Sequence, residues 1–244
     1  MGQEGISLWR QIGQTLSREV ERGLIEEGHR LPNSADLAAR FGVNRHTVLK
    51  ALAHLQAEGL VRMERGRGTY AVVNPLQLRL GPRRWFEQNL VHDKRMPSRR
   101  VISVARLPAP ETVAEALQVA PGAETAFVVL LGIANDVPVN RVSNYFALER
   151  LPGIDEVFRK FGDQSTKRIS FGKIFKSFGV PDFRRKSVRI RSRSARPDEA
   201  RDLQMAPSDH VLETDVTLVD PSDTPLCYAN TSYTSSRVEL VLDL

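Results

Sequence analysis

Leu8, Ile12, Leu16 and Val20 recur every fourth residue, a single apolar stripe along a helix that ends near Gly23. Pro32 stops any continuation. Asn33 or Ser34 can then cap a short second helix that buries Leu37, Ala38 and Phe41 and closes at Gly42. Val48, Leu52 and Leu55 mark a third helix, from Asn44 to Gly59. Only Gly42, Val43 and Asn44 separate the second from the third, the usual length of a helix-turn-helix corner. Beyond Gly59 the spacing changes. LVRM and TYAVV predict two short strands joined by ERGRG, so residues 6–74 predict a winged helix-turn-helix, its corner at about 33–52 and its wing at 60–73.

The segment NPLQLRLGPRR carries two prolines and a glycine and predicts a linker over 75–84. Residues 85–244 then mix both periods. RVISVARL, ETAFVVLLGIA, KSVRIRSRSA, HVLETDVTLVD, CYANTSYTS and RVELVLDL predict strands, and ETVAEAL and SFGKIFKSF predict helices. Asn135-Asp136 with Pro138, and Pro221 to Pro225, predict hairpin turns. The second domain is therefore expected to be α+β, built on an antiparallel sheet.

Composition narrows the function classes. A hydrophobic content of 41% supports real cores, and 35 Lys and Arg against 29 Asp and Glu favour a polyanionic partner. Cys227 is the single cysteine, which excludes an internal disulfide, and the five histidines lack metal-ligand spacing; no cofactor is expected. No signal-peptide core and no run of about 20 apolar residues is present, so the expectation is a soluble cytoplasmic chain without membrane partners. Ile6 stands where a myristoylation signal needs Ser or Thr. Gly66, Gly68 and Ala71 mimic a dinucleotide fingerprint, but a strand follows them instead of the helix that would cradle pyrophosphate.

Chemistry concentrates at the start of the third helix. Arg45 and His46 project from its first turn, opposite the Val48/Leu52/Leu55 stripe, and in a helix-turn-helix that end enters the major groove. Arg45 can fork onto guanine O6 and N7, while Asn44, Thr47 and the free helix amides suit phosphate oxygens. In the wing, Arg65 and Arg67 can reach a backbone or minor groove, with Gly66 and Gly68 removing bulk where the chain must approach DNA. The competing interpretation is a solvated helix start and a polar hairpin, and the occurrence of both features in one short segment weighs against it. Arg189, Arg191 and Arg193 alternate along a strand and share one face, either a solvated outer face or part of an anion pocket or DNA flank.

LWRQI together with RLPNSADLAARFGVNRHTVLKALAHLQAEGLVRMERGRGTY resembles the DNA-binding domain of GntR-type bacterial transcription regulators. RRWFEQNL, ANDVP, SNYFA and CYANTSYTSSR resemble the effector (UTRA) domain of the HutC subfamily, whose fold is similar to chorismate lyase. FGVNRHTV and FEQNL are most like the PhnF regulators of phosphonate use. The resemblance implies a homodimeric repressor on double-stranded operator DNA, relieved by a small anionic effector of phosphonate metabolism or of another catabolic pathway. Where the family reads NRHTVRRAL this chain has Leu49 and Lys50, and Lys50 supplies charge to DNA without a bidentate fork. The resemblance further implies effector binding by Ser170, with Lys167 and Arg168 just before it, and by Tyr228, Tyr233 and Arg237. Relatives often place arginines before the ANDVP turn and a glutamate before the tyrosine motif; here those positions are Leu130, Gly132 and Cys227. The lyase-like fold raises an enzyme as a rival, but no nucleophile-base pair, metal cluster or paired-carboxylate motif stands out in residues 85–244. An architectural DNA binder without ligand would not need so large a second domain.

Overall fold

The computed structural model describes residues 7–21, 24–25, 29–58, 60–64, 66–71, 75–93, 95–135, 137–162 and 169–242. The chain divides into two compact units, Met1–Pro75 and Leu76–Leu244.

In the first unit, α1 (Leu8–Glu21), α2 (Ser34–Phe41) and α3 (Arg45–Ala57) precede an antiparallel hairpin of β1 (Val61–Glu64) and β2 (Gly68–Ala71). The apolar spacing fixes what each helix buries. Ile12, Leu16 and Val20 of α1 meet Leu37 of α2 and Val48, Leu52 and Leu55 of α3 in one core closed by Val61 and Ala71. Asn33, not Ser34, caps α2, its Oδ1 accepting from the Ala35 and Asp36 amides at 2.9 and 3.0 Å. Gly42 follows α2 with φ +63°, a left-handed turn that suits glycine and redirects the chain into α3. The hairpin gains a third partner that strand patterning misses, because it is only a few residues long. The Leu31 amide donates to Thr69 O at 2.8 Å and the Ala71 amide to His29 O at 3.0 Å.

The second unit starts at β3 (Leu76–Leu80), inside the segment expected to be a linker over 75–84. That expectation is corrected here. Pro75 and Pro82 flank the strand without interrupting it, and Leu76, Leu78 and Leu80 alternate into the core. Its partner is β10 (Val238–Leu242), paired in parallel from the far end of the chain, so no local pattern announces the pairing. Between them run α4 (Phe86–His92), β4 (Pro97–Pro108), α5 (Glu111–Leu117), β5 (Glu124–Ala134), β6 (Val137–Ala147), α6 (Ile154–Gly162), α7 (Phe171–Ser177), β7 (Arg184–Ser194), α8 (Pro197–Leu203), β8 (His210–Val219) and β9 (Pro225–Thr234).

Six of these strands form one antiparallel sheet in the order β4-β5-β6-β9-β8-β7. Because side chains alternate along each strand, the sheet carries helices on both faces. On one face Phe146, Val128, Leu130 and Ala229 pack against Phe158 of α6 and Ile174 and Phe175 of α7. On the other, Ala147, Tyr145 and Tyr228 meet α5, and Leu131 and Val211 meet Leu203 of α8.

Candidate nucleic-acid interface and effector cavity

Asn44 caps α3: its Oδ1 accepts from the Thr47 amide at 2.8 Å and from the Thr47 hydroxyl at 2.9 Å. The cap therefore occupies the Thr47 hydroxyl and leaves the Asn44 side-chain NH₂ as the free donor of the pair. Arg45 and His46 are exposed beside it. Ser34, at the start of α2, accepts from Arg45 Nε at 2.8 Å, so the helix-turn-helix corner itself orients the guanidinium. Lys50, one turn further on, holds its ammonium 5.0 Å from the centre of the Trp9 ring of α1. Neither Ser34 nor Trp9 stands out as a partner in the sequence, since both contacts join residues from different helices.

In the wing, Gly66 turns with φ +77°, and Arg67 is 80% exposed with Nη1 3.8 Å from Glu64 Oε2. Arg65 lies outside the described residues. Gly68 has an internal reason to be glycine. A Cβ there would lie 2.4 Å from Arg30 Nε, so its missing side chain makes room for the chain's own arginine.

The second unit contains a cavity of about 300 Å³. Asn140, Val142 and Asn144 of β6, Ala229, Thr231 and Tyr233 of β9, and Val216 and Leu218 of β8 form its floor, each set alternating along its strand. Trp85 and Phe86 at the start of α4, Phe171 at the start of α7, and Phe183 form apolar walls, and Ser170 adds a polar side chain beside Phe171. Two guanidiniums face this space, Arg99 of β4 and Arg185 of β7, against one carboxylate, Glu87. Arg99 Nε donates to Glu87 Oε1 at 2.5 Å, and its guanidinium lies 4.8 Å from the Phe86 ring centre and 5.6 Å from that of Phe171. Among the described residues no carboxylate pairs with Arg185. Its Nη1 donates to Gly81 O at 2.8 Å and to Arg84 O, and it lies 4.7 Å over Trp85. Burial lowers the pKa of Arg185 below the ordinary arginine value, and the charge of Arg99 acts in the same direction. The Asn140 side chain is buried, and its Oδ1 has no hydrogen-bond partner among the described residues.

Of the expected effector residues, Ser170 and Tyr233 line this cavity, and Tyr228 and Arg237 do not. Tyr228 is corrected by parity: it and Tyr233 are an odd number of residues apart on one strand and face opposite sides of the sheet. Its ring centre lies 6.4 Å from that of Tyr145 under α5, where burial, followed by its hydrogen bond to Asp215, raises the phenol pKa. Arg237 is corrected by its burial. Its Nη1 donates to Leu203 O at 2.8 Å and to Pro138 O at 3.1 Å and its Nη2 to Gln204 O at 2.8 Å, which ties the turn after β9 to the end of α8. Lys167 and Arg168 lie outside the described residues. Leu130 and Cys227 are fully buried in the core. Gly132 sits opposite Asn140 in register, and a Cβ on it would fall 2.2 Å from Asn140 Oδ1, so this packing admits no arginine there.

Arg99, Arg185 and Glu87, with the neutral polar residues Gln88, Asn140, Asn144 and Thr231, are cavity residues that sequence reasoning missed, because they come from separate elements. Two of the three alternating arginines of β7, Arg191 and Arg193, belong to an ion network instead. Arg191 pairs with Glu213 at 2.6 Å and with Asp215, and Arg193 pairs with Glu199 at 2.7 Å and with Glu213 at 2.5 Å. Among the described residues no cluster of His, Cys, Asp and Glu could hold a metal ion, and no helix is long and apolar enough to cross a membrane.

Comparison with known proteins agrees with both units. Residues 8–71 match the bacterial regulatory proteins of the gntR family and residues 92–239 match the UTRA domain. The HTH-type transcriptional regulator RB1450 of Rhizobium meliloti is 31% identical over 99% of this chain and 96% of its own length. The probable transcriptional regulator PhnF of Escherichia coli is 34% identical over 57% of each chain. The crystal structure of PhnF from Mycobacterium smegmatis shares the fold with a TM-score of 0.66 at 21% identity, covering 96% of this chain and 98% of that one. These relatives are named as transcription regulators and not as enzymes, and the chain belongs to the gntR family of bacterial transcription regulators, with a UTRA domain of the HutC type as its second unit.

Proposed function

We propose that this regulator binds a near-palindromic double-stranded operator as a homodimer and is a repressor relieved by a small anionic effector held in the cavity lined by Ser170 and Tyr233. The observation that carries the reading is the pairing of an exposed Arg45, braced by Ser34, with a separate cavity in which two guanidiniums outnumber one carboxylate. The first suits base readout and the second suits an anion. A dimer follows from reading capacity: one winged helix contacts too few bases for useful specificity, and two would read half-sites about 10 base pairs apart or a multiple of that. The likeness to PhnF supports an effector from phosphonate metabolism. The apolar or side-chain-free positions Leu130, Gly132 and Cys227 support a different catabolic ligand, because none of them supplies a polar group to the cavity.

Two measurements test this. Sedimentation of the chain with and without operator should show a dimer in the complex, and monomer alone would refute that part. A thermal-shift panel of phosphonates, phosphate esters and small carboxylates should contain a compound that both stabilises the chain and releases the duplex. At 100 times its dissociation constant such a ligand adds about 2.7 kcal/mol. A panel in which no stabilising compound releases DNA would contradict the effector reading.

A further inference from the structure

The effector reading above leaves open which groups hold the anion. Of the five N–H donors on each guanidinium, only Nε of Arg99 and Nη1 of Arg185 are engaged; the Nη groups of Arg99, and Nε and Nη2 of Arg185, have no hydrogen-bond partner among the described residues. Both side chains line one cavity, and the side chain of Arg99 is only 10% exposed. Asn140 lies in the floor beneath them, and its buried Oδ1, unpartnered among the described residues, is an acceptor that suits a donor on the ligand's body and not the oxyanion itself. The unused donors of both part-buried guanidiniums open onto the cavity, where an oxyanion can accept from them with charge assistance. Trp85, Phe86, Phe171 and Phe183 supply an aromatic part of the lining, and Gln88, Asn144, Ser170, Thr231 and Tyr233 supply neutral polar groups.

Resting on the effector reading, we propose that Arg99 and Arg185 form an anion clamp whose ligand is a small organic oxyanion, a carboxylate or phosphonate, carried on an apolar ring-sized body. Glu87 is the internal competitor. It occupies Arg99 Nε in the structure and is 38% exposed, so an incoming oxyanion shares Arg99 with a carboxylate that can swing toward solvent. The clamp also explains Gly132. An arginine at 132 is excluded by Asn140 and Phe86, and Arg99, its direct neighbour in register on β4, supplies the guanidinium from the adjacent strand. A cavity near 300 Å³ is at the small end of the range of ligand sites, about 300–1,000 Å³, which fits one ring and one charged head better than a sugar phosphate chain.

The test is calorimetric titration of the full-length chain with phenylacetate, phenylphosphonate, inorganic phosphate and phenylacetamide. One or both ring-bearing anions should bind, and phosphate and the uncharged amide should bind at least about tenfold more weakly. The variant with the better ring-bearing head identifies the source as carboxylate or phosphonate. Arg99→Gln and Arg185→Gln should each weaken binding about tenfold or more, whereas Glu87→Gln should tighten it, a reversal of sign that a merely structural role does not produce. Arg185 also holds the 81–84 loop, so Arg99→Gln carries the test if the Arg185 variant fails to fold. Absence of binding below about 10 mM for both ring-bearing anions, unchanged affinity in Arg99→Gln, or weakening in Glu87→Gln overturns the clamp. Duplex binding by the same preparations separates the two readings: retained DNA binding without anion binding sinks the clamp alone, and anion binding without any DNA binding sinks the regulator reading alone.

Discussion

Replacing Glu199 by glutamine should cost the second unit about 3 kcal/mol near neutral pH and almost nothing in strong acid. Glu199 is fully buried on the sheet face opposite the cavity. Its oxygens accept from both Nη groups of Arg193 at 2.7 and 2.8 Å, from the Ser232 hydroxyl at 2.6 Å and from the Arg196 amide at 2.9 Å. Burial alone would raise its pKa. The hydrogen bonds outweigh burial and hold the carboxyl at about 2, against 4.5 for an ordinary glutamate. The folded pKa is the lower one, so between those values the unfolded chain binds the extra proton. Stability from this group is therefore complete above about pH 4.5 and is lost as the pH falls through about 2. At about 1.4 kcal/mol per pH unit, the difference corresponds to roughly 3 kcal/mol. Glutamine keeps the shape and loses the charge, and Arg193 retains Glu213, which keeps the loss near the low end of that for a broken buried pair, about 3–5 kcal/mol. Trp9 and Trp85 are the only two tryptophans, one in each unit, so a Trp9→Phe background makes Trp85 fluorescence a reporter of the second unit in urea titrations. From about pH 7 to about pH 3 the gap between the Glu199 form and the glutamine variant should narrow. A gap that does not change with pH, or a variant as stable as the parent at neutrality, would refute the reasoning.

Further outcomes concern the DNA-binding unit. Arg45→Ala should cost roughly 1–3 kcal/mol on operator DNA and relax preference at one base pair per half-site, read by anisotropy on matched and mismatched duplexes. Ser34→Ala should produce a smaller loss in the same direction, about 0.5–1.5 kcal/mol, because it removes the hydrogen bond that holds Arg45. Arg67→Ala should weaken operator and scrambled duplexes alike and lower the salt slope by about one unit. Gly68→Ala should lower the melting temperature of the first unit, since φ +126° and the Arg30 side chain both oppose a Cβ; an unchanged melting temperature would show that Arg30 moves freely aside.

Local patterning carried most of the architecture. The stripes Leu8/Ile12/Leu16/Val20 and Val48/Leu52/Leu55, the Gly42 corner and the long apolar strands are visible because each is decided by residues within one element. β3 was hidden because its partner, β10, lies at the other end of the chain and prolines flank it. The helices α4 and α8 were missed although α5 and α7, also of 7 residues, were visible, so length alone does not separate them. The DNA-reading end was legible because Asn44, Arg45, His46 and Thr47 are consecutive. The cavity was not, because Arg99, Asn140, Ser170, Arg185 and Tyr233 meet only through the sheet order. Strand parity alone could have excluded Tyr228 as a companion of Tyr233, and no local signal marks Arg237 as the anchor of α8.

Selection of a randomised duplex pool by the full-length chain, followed by affinity measurement on the enriched sequence, tests the central claim most directly. The account predicts a near-palindromic site with half-sites about 10 base pairs apart or a multiple of that, bound at least about 10³-fold more tightly than scrambled DNA, with that ratio reduced in Arg45→Ala. A pool that yields no enriched sequence, or a specificity ratio that Arg45→Ala leaves intact, would contradict it.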